Sequence, residues 1–196
     1  YLTQLSDDLA FGISNHRTRV AHKQAEAQRL AAQQRFVDIV EFLPDAAFVI
    51  DQDKKIIAWN HACESMTGVK KDSLLGKGDY AYAEPFFGER RPLLIDLLDF
   101  PMPELEATYK FVRREGDRIY AESFISRLNN GKGIHLWGVA SPLYDQDGQR
   151  CGAIETIRDV SEQKRMEEIL YFLSAYFYET NNGLFKLIWH PDLFLI

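Results

Sequence analysis

The residue types that do chemistry are sparse in this chain and poorly grouped. Its five histidines, His16, His22, His61, His135 and His190, do not cluster, and neither H-x-x-x-H nor C-x-x-C spacing occurs. The two cysteines, Cys63 and Cys151, stand far apart and match no zinc or redox pattern. The plain expectation is two buried thiols in a reducing compartment. Asp96 and Asp99 have the spacing of a carboxylate pair, but they sit among leucines with no histidine beside them. Glu89, Arg90 and Arg91 form a charged knot ahead of Pro92. An anion could sit there, although a solvated face is the commoner fate of such a run. Nothing pairs a nucleophile with a base, and no glycine-rich phosphate loop occurs. The chain by itself is expected not to be an enzyme and to hold no metal.

What these residues hang on is more telling. The chain has 196 residues, 46% of them hydrophobic, enough for one domain with flanking segments. A net charge of −6 with scattered basic residues argues against a nucleic-acid partner. No apolar run reaches the roughly 18 residues of a membrane span. A start at Tyr1 rather than Met, with no signal peptide in view, suggests a cytoplasmic piece of something longer.

Residues 6–42 lack proline and are rich in Ala, Gln, Arg and Glu, so they predict one long helix, stopped near Leu43 by Pro44. Leu9, Ile13, Val20, Ala27, Leu30 and Val37 fall on steps of three, four and seven, a weak heptad interrupted by His16, Lys23 and Gln34. The period then changes. "AAFVID" and "KIIAWN" predict strands joined by the turn "DQDK". Asn60 stands where a helix N-cap belongs, before "HACESMTG", and "KKDSLLG" gives another short turn. "FFGERRPLLIDLL" predicts a helix limited by Pro92, and "DFPMPE" a break. "EATYKFVRR", "RIYAESFISRL", "IHLWGVASPLYD" and "CGAIETIRDV" predict strands separated by glycine- and asparagine-bearing turns. "DVSEQKRMEEIL" returns to helix, with Ser161 as its cap. Strands in runs make the class α+β, with an antiparallel sheet and short helices on one face.

This succession resembles a PAS domain, the small sensor module of prokaryotic signalling proteins. The resemblance spans about residues 36–160. It rests on "LPDAAFVIDQDKKIIAWNHACESMTG", "LLGKG", "GDRIYAESF" and "LWGVASPLYDQDGQRCGAIETIRDV", in that order. "RDVSEQKR" resembles the place where a PAS sheet hands over to its exit helix. The family shows Asp-Ile-Thr there and this chain has Asp159, Val160 and Ser161. The family implies five strands, one fewer than this chain offers. Either "EATYKFVRR" adds an edge, or the first strand of the second half lies elsewhere. Residues 5–28 resemble the last helix of a GAF domain running into a linker. The implied organisation is a signalling helix over 1–42, a sensor over 43–160, an exit helix over 161–170 and a tail over 171–196. That tail is apolar and aromatic. It could pack on the module or a partner, begin a further domain, or be non-native sequence.

PAS modules hold haem, flavin, a metabolite or nothing. Haem is disfavoured, because no histidine lies between Ala62 and Ile134. A flavin that forms a cysteine adduct is disfavoured too, since "NHACES" lacks the required Asn-Cys-Arg-Phe-Leu-Gln type motif. The cofactor is otherwise unknown. Strand alternation nominates Phe48 with Ile50, Ile57 with Trp59, and Trp137 with Val139 as cup-lining pairs. Phe86, Leu94 and Leu97 are nominated from the helical side. Asn60, Asp159 and Ser161 carry structural or signalling roles. The functional expectation is a sensor or relay that binds a small ligand or partner. It would act in a homodimer made through the N-terminal helix, with entry and exit helices at opposite ends of the sheet. The alternatives are a ligand-free interaction scaffold, or the regulatory fragment of a histidine kinase or diguanylate cyclase.

Overall fold

The computed structural model describes the backbone of residues 2–180 and the side chains of residues 19, 20, 22–32 and 34–174. Helix α1 runs over Leu2–Glu41 as one rod. Proline then turns the chain into β1 (Ala46–Asp51) and β2 (Ile56–Trp59). Asp51 makes their turn, its Oδ1 accepting from the N–H groups of Asp53 and Lys55, both at 2.9 Å. Asp145 builds the later turn in the same way, from the similar sequence "DQDGQ".

Helix α2 (His61–Thr67) opens on Asn60 and closes on Gly68, whose φ of 75° only glycine adopts cheaply. After a 3-10 turn at Lys71–Ser73 comes α3 (Glu84–Phe87). The single helix expected over "FFGERRPLLIDLL" is broken in two. Gly88 turns left-handed at φ 79° and Pro92 blocks resumption, so only a 3-10 helix forms at Leu94–Leu97. "DFPMPE" proves to be a start rather than a break. Helix α4 spans Met102–Thr108 with its prolines at the first turn, where a missing N–H costs nothing. It takes over "EAT" from the expected strand.

Four strands follow: β3 (Phe111–Glu115), β4 (Arg118–Ile125), β5 (Ile134–Tyr144) and β6 (Arg150–Asp159). The six form one antiparallel sheet in the order β2-β1-β6-β5-β4-β3. The extra strand-like segment is thus the β3 edge. Helix α5 covers Ser161–Thr180, so the exit helix continues ten residues past its expected end at 170. The rest of the tail, 181–196, lies outside the described residues.

One face of the sheet carries the core. Phe48, Trp59, Tyr82 and Phe86 are buried there under α2 and α3, with ring centroids 5.2 to 5.8 Å apart. The expected geometry of the flanking helices needs correction. β1 and β6 are antiparallel neighbours, and Ala46 lies opposite Ile157. The strand that α1 enters and the strand that α5 leaves therefore meet side by side at one end of the sheet.

Candidate functional site

Strand β6 alternates Ala153, Glu155 and Ile157 toward the helices, and all three are buried. A carboxylate among them is chemically conspicuous. Glu155 Oε2 accepts the N–H of Ile95 at 2.9 Å. Among the described residues, Oε1 has no hydrogen-bond partner. It lies over Gly138 of β5, whose missing Cβ would stand 3.7 Å from it. Burial pushes the Glu155 carboxyl up to about 8; the Ile95 N–H opposes the rise and Asp96 adds to it.

Glu155 borders a cavity of about 30 Å³. Phe86 of α3, Leu94 of the 3-10 helix, and Leu136 and Ile157 of the sheet make its apolar walls. Half-buried Phe87, Tyr109 and Ser123 line it as well. The space takes two or three water-sized groups. The cup is therefore mostly filled by the protein itself.

A second buried carboxylate holds the same 3-10 helix from the other side. Asp96 accepts from the Tyr82 hydroxyl at 2.7 and 2.8 Å, the Leu93 N–H at 3.0 Å and Lys54 Nζ at 3.1 Å. Desolvation and the adjacent Asp96 both push the Tyr82 hydroxyl upward, so it stays a proton donor. Leu93–Leu97 is thus pinned by Asp96 from within and by Glu155 from β6.

The nominated residues divide. Phe86 and Leu94 line the cavity. Phe48, Ile50, Trp59 and Leu97 are buried in the core beside it. Ile57 does not point inward: the β1–β2 register shifts between Val49 and Ile50, so Ile56 and Trp59 face in and Ile57 is 52% exposed. Trp137 and Val139 do share a face, but it is the outer one. Their neighbours Leu136 and Gly138 reach the cavity, while Trp137 packs against Tyr120 and Arg113. Alternation gives a pair's common face, not which face that is.

Asn60 is buried and ties three segments together. Its Oδ1 accepts from Cys63 N–H and Ala47 N–H, both at 2.9 Å, and its Nδ2 donates to the carbonyls of Asp45 and Leu43. At the exit, the capping chemistry differs from expectation. Asp159 accepts the Ser161 N–H at 2.8 Å, whereas the Ser161 hydroxyl accepts from His135 N–H at 2.8 Å and Val160 N–H donates to the His135 carbonyl. The serine stitches α5 to β5 instead of capping its own helix.

Neither His61 nor His135 reaches the cavity. His61 is exposed beside Glu64, and His135 packs on Phe124 of the outer face. Cys63 is buried and its thiol is pushed up by burial, which opposes thiolate chemistry. Arg90 is engaged by Asp79 and Glu84, and Arg91 lies over the Phe87 ring, so both arginines of the charged knot contact residues outside it. No group of three or more potential metal ligands occurs among the described residues, and no described helix is long and apolar enough to cross a membrane.

Sequence reasoning missed Glu155, Tyr82, Tyr109, Ser123 and Gly138, and it looked beside Asp96 for a histidine, not for the tyrosine and lysine that bind it. The signal for Glu155 was available: it holds the inward register of β6 between Ala153 and Ile157.

Residues 40–165 match the family model described as PAS fold. Solved structures similar to the chain include the PAS domain of Bordetella pertussis BvgS, at 20% identity over 74% of this chain and 98% of that one, TM-score 0.46. An RNA-binding light-oxygen-voltage receptor matches at 18% identity over 73% and 37%, TM-score 0.48. Phage VqmA in complex with DPO matches at 15% identity over 76% and 62%, TM-score 0.47. No curated protein matches the chain.

Proposed function

The chain belongs to the PAS fold family, a family of sensory and interaction modules, and from that premise we propose that it is a relay. In this reading the occupancy of the cavity beside Glu155 biases the start of α5. One observation carries it. Strand β6 presents Glu155 to the cavity and ends four residues later at Asp159, whose carboxylate accepts the first N–H of the exit helix at Ser161. A ligand that prefers one setting of Glu155 and the Leu94–Leu97 helix shifts the population of β6 positions, and the α5 junction moves with it.

The relay works in a homodimer. Val20, Leu30 and Val37 of α1, which fall on the heptad steps, are exposed, as are Met166, Ile169, Leu170 and Leu173 of α5. Such apolar stripes suit a paired helix. Cysteines placed singly at Leu30 and Val37 should cross-link between chains; a monomer at micromolar concentration with neither site cross-linking would overturn the dimer. The chain has no catalytic role in this reading.

The small cavity favours a second reading, a scaffold with a self-filled cup that binds only protein partners. Native mass spectrometry of the purified protein separates the two. The relay predicts a retained or exchangeable small molecule, and the scaffold predicts the bare mass under every condition.

A further inference from the structure

We propose that the cavity is a site for a small organic cation, an ammonium group on a short apolar body, with its N–H groups donating to Glu155 Oε1. The inference rests on the reading of this cavity as a ligand site and names the chemistry that would fill it.

An ionised carboxylate offers about four lone-pair sites, and Glu155 uses one of them on Ile95 N–H. The residue is 5% exposed, and its second oxygen is not sealed off but borders the open space of the cavity, whose lining is apolar apart from Tyr109, Ser123 and Glu155 itself. A buried carboxylate in such a setting is costly unless a cation or donors reach it. Among the described residues no lysine or arginine pairs with it. Lys54, whose side chain is half exposed, is committed to the buried Asp96. An ammonium group supplies both the charge and up to three donors, and Tyr109 and Ser123, which also line the cavity, carry hydroxyls that can accept. An anion has no counter-charge inside. A neutral apolar molecule would leave Oε1 unsatisfied.

Size agrees with charge. Two or three water-sized groups correspond to a head with one or two carbons, and Phe86, Leu94 and Leu136 provide the apolar contact for them. The space exists because Gly138 has no side chain. A methyl there would sit 3.5 Å from Leu94 Cδ2 and 3.7 Å from Glu155 Oε1, ordinary contact distances that fill the space without strain.

The ionisation state gives a second handle. The groups facing Glu155 are Asp96 on the 3-10 helix, Tyr109 after α4, Tyr82 before α3, and Cys63 on α2. None is a cation. With its carboxyl raised to about 8, Glu155 is mostly protonated at pH 6.5, and a bound ammonium must displace that proton to water. Affinity for the cation therefore rises with pH up to about 9, whereas that of a neutral analogue stays flat.

The test titrates the full chain with ethylammonium and with ethanol, following the backbone amide resonances of Ile95 and Gly138 at pH 6.5 and 8.5. Expected is a saturable shift with ethylammonium, at least about tenfold tighter at pH 8.5 than at 6.5. Ethanol binds at least about tenfold more weakly at pH 8.5. Glu155→Gln should abolish the preference and the pH dependence. Gly138→Ala should block both probes while keeping a dispersed, folded spectrum. Equal binding of the two probes, or a preference that survives Glu155→Gln, overturns the cation assignment and leaves the cavity a ligand site. Silence from both probes in the wild-type chain overturns the assignment and counts against the ligand reading as well.

Discussion

The guanidinium of Arg158 closes on the carboxylate of Asp45 through three contacts of 2.7, 3.0 and 3.1 Å. The two residues are 113 positions apart in sequence, yet they join the end of β6 to the segment between α1 and β1. The pair fastens entry to exit at one end of the sheet. Arg158 is solvent-exposed, so the bond is worth little to global stability, on the order of 1 kcal/mol or less.

Replacing Arg158 with Gln should therefore leave the unfolding midpoint nearly unchanged. It should instead speed amide exchange at Val160 and Lys164, where α5 begins. Raising the salt to about 1 M should produce part of the same effect in the wild-type chain. A large loss of stability, or no change in exchange at α5, would refute a fastening role.

Asn60→Ala should cost about 2–4 kcal/mol, because the cap of α2 and the links to Ala47 and Asp45 are lost together from a buried site. Asn60→Asp keeps the two acceptor contacts and loses the donor side, so it should fall between. Urea denaturation of the three proteins gives the order directly. An exposed-residue cost of a few tenths would show that the network is not what holds α1 to the sheet.

Glu155 predicts a pH dependence with a definite sign. Its carboxyl rises from an ordinary 4.5 to about 8 in the fold, so the folded state binds the proton more tightly than the unfolded chain does. That contribution is full below about 4.5 and is lost as pH climbs through 8. Thermal melting should decline for wild type relative to Glu155→Gln between pH 5 and 9, by several kcal/mol at most. Parallel melting curves would mean that the carboxyl is already paired.

Ser161→Ala removes the acceptor for His135 N–H at the start of β5. A loss of about 1 kcal/mol is expected, with faster exchange at His135 and fraying of the first turn of α5. Ser161→Thr should retain the bond. If alanine and threonine behave alike, the stitch between α5 and β5 is not formed in solution.

The sheet and its flanking helices were legible because strand periodicity, the "DQDK" and "DQDGQ" turns and the Asn60 cap are local features. What failed depended on neighbours distant in sequence. The register shift at Val49 and Ile50 turned Ile57 outward, and only pairing with β1 could show it. Trp137 and Val139 were assigned the right partnership and the wrong face, since a face is fixed by what packs on it. The prolines near Met102 suggested a break because proline starts and ends helices with the same letter. Glu155 is inconspicuous in sequence for a different reason: it forms no cluster with other reactive residues and is one carboxylate in an otherwise apolar strand register.

The relay stands or falls on whether a disturbance at the cavity is felt at α5. Hydrogen exchange of wild type and Gly138→Ala, compared over residues 161–168, measures this without any ligand. The methyl fills the space beside Glu155 at ordinary contact distances, so the fold should be kept. The account predicts a severalfold change in protection across the first two turns of α5, with α2 unaffected. Identical exchange at α5, alongside altered exchange at Ile95, would contradict it.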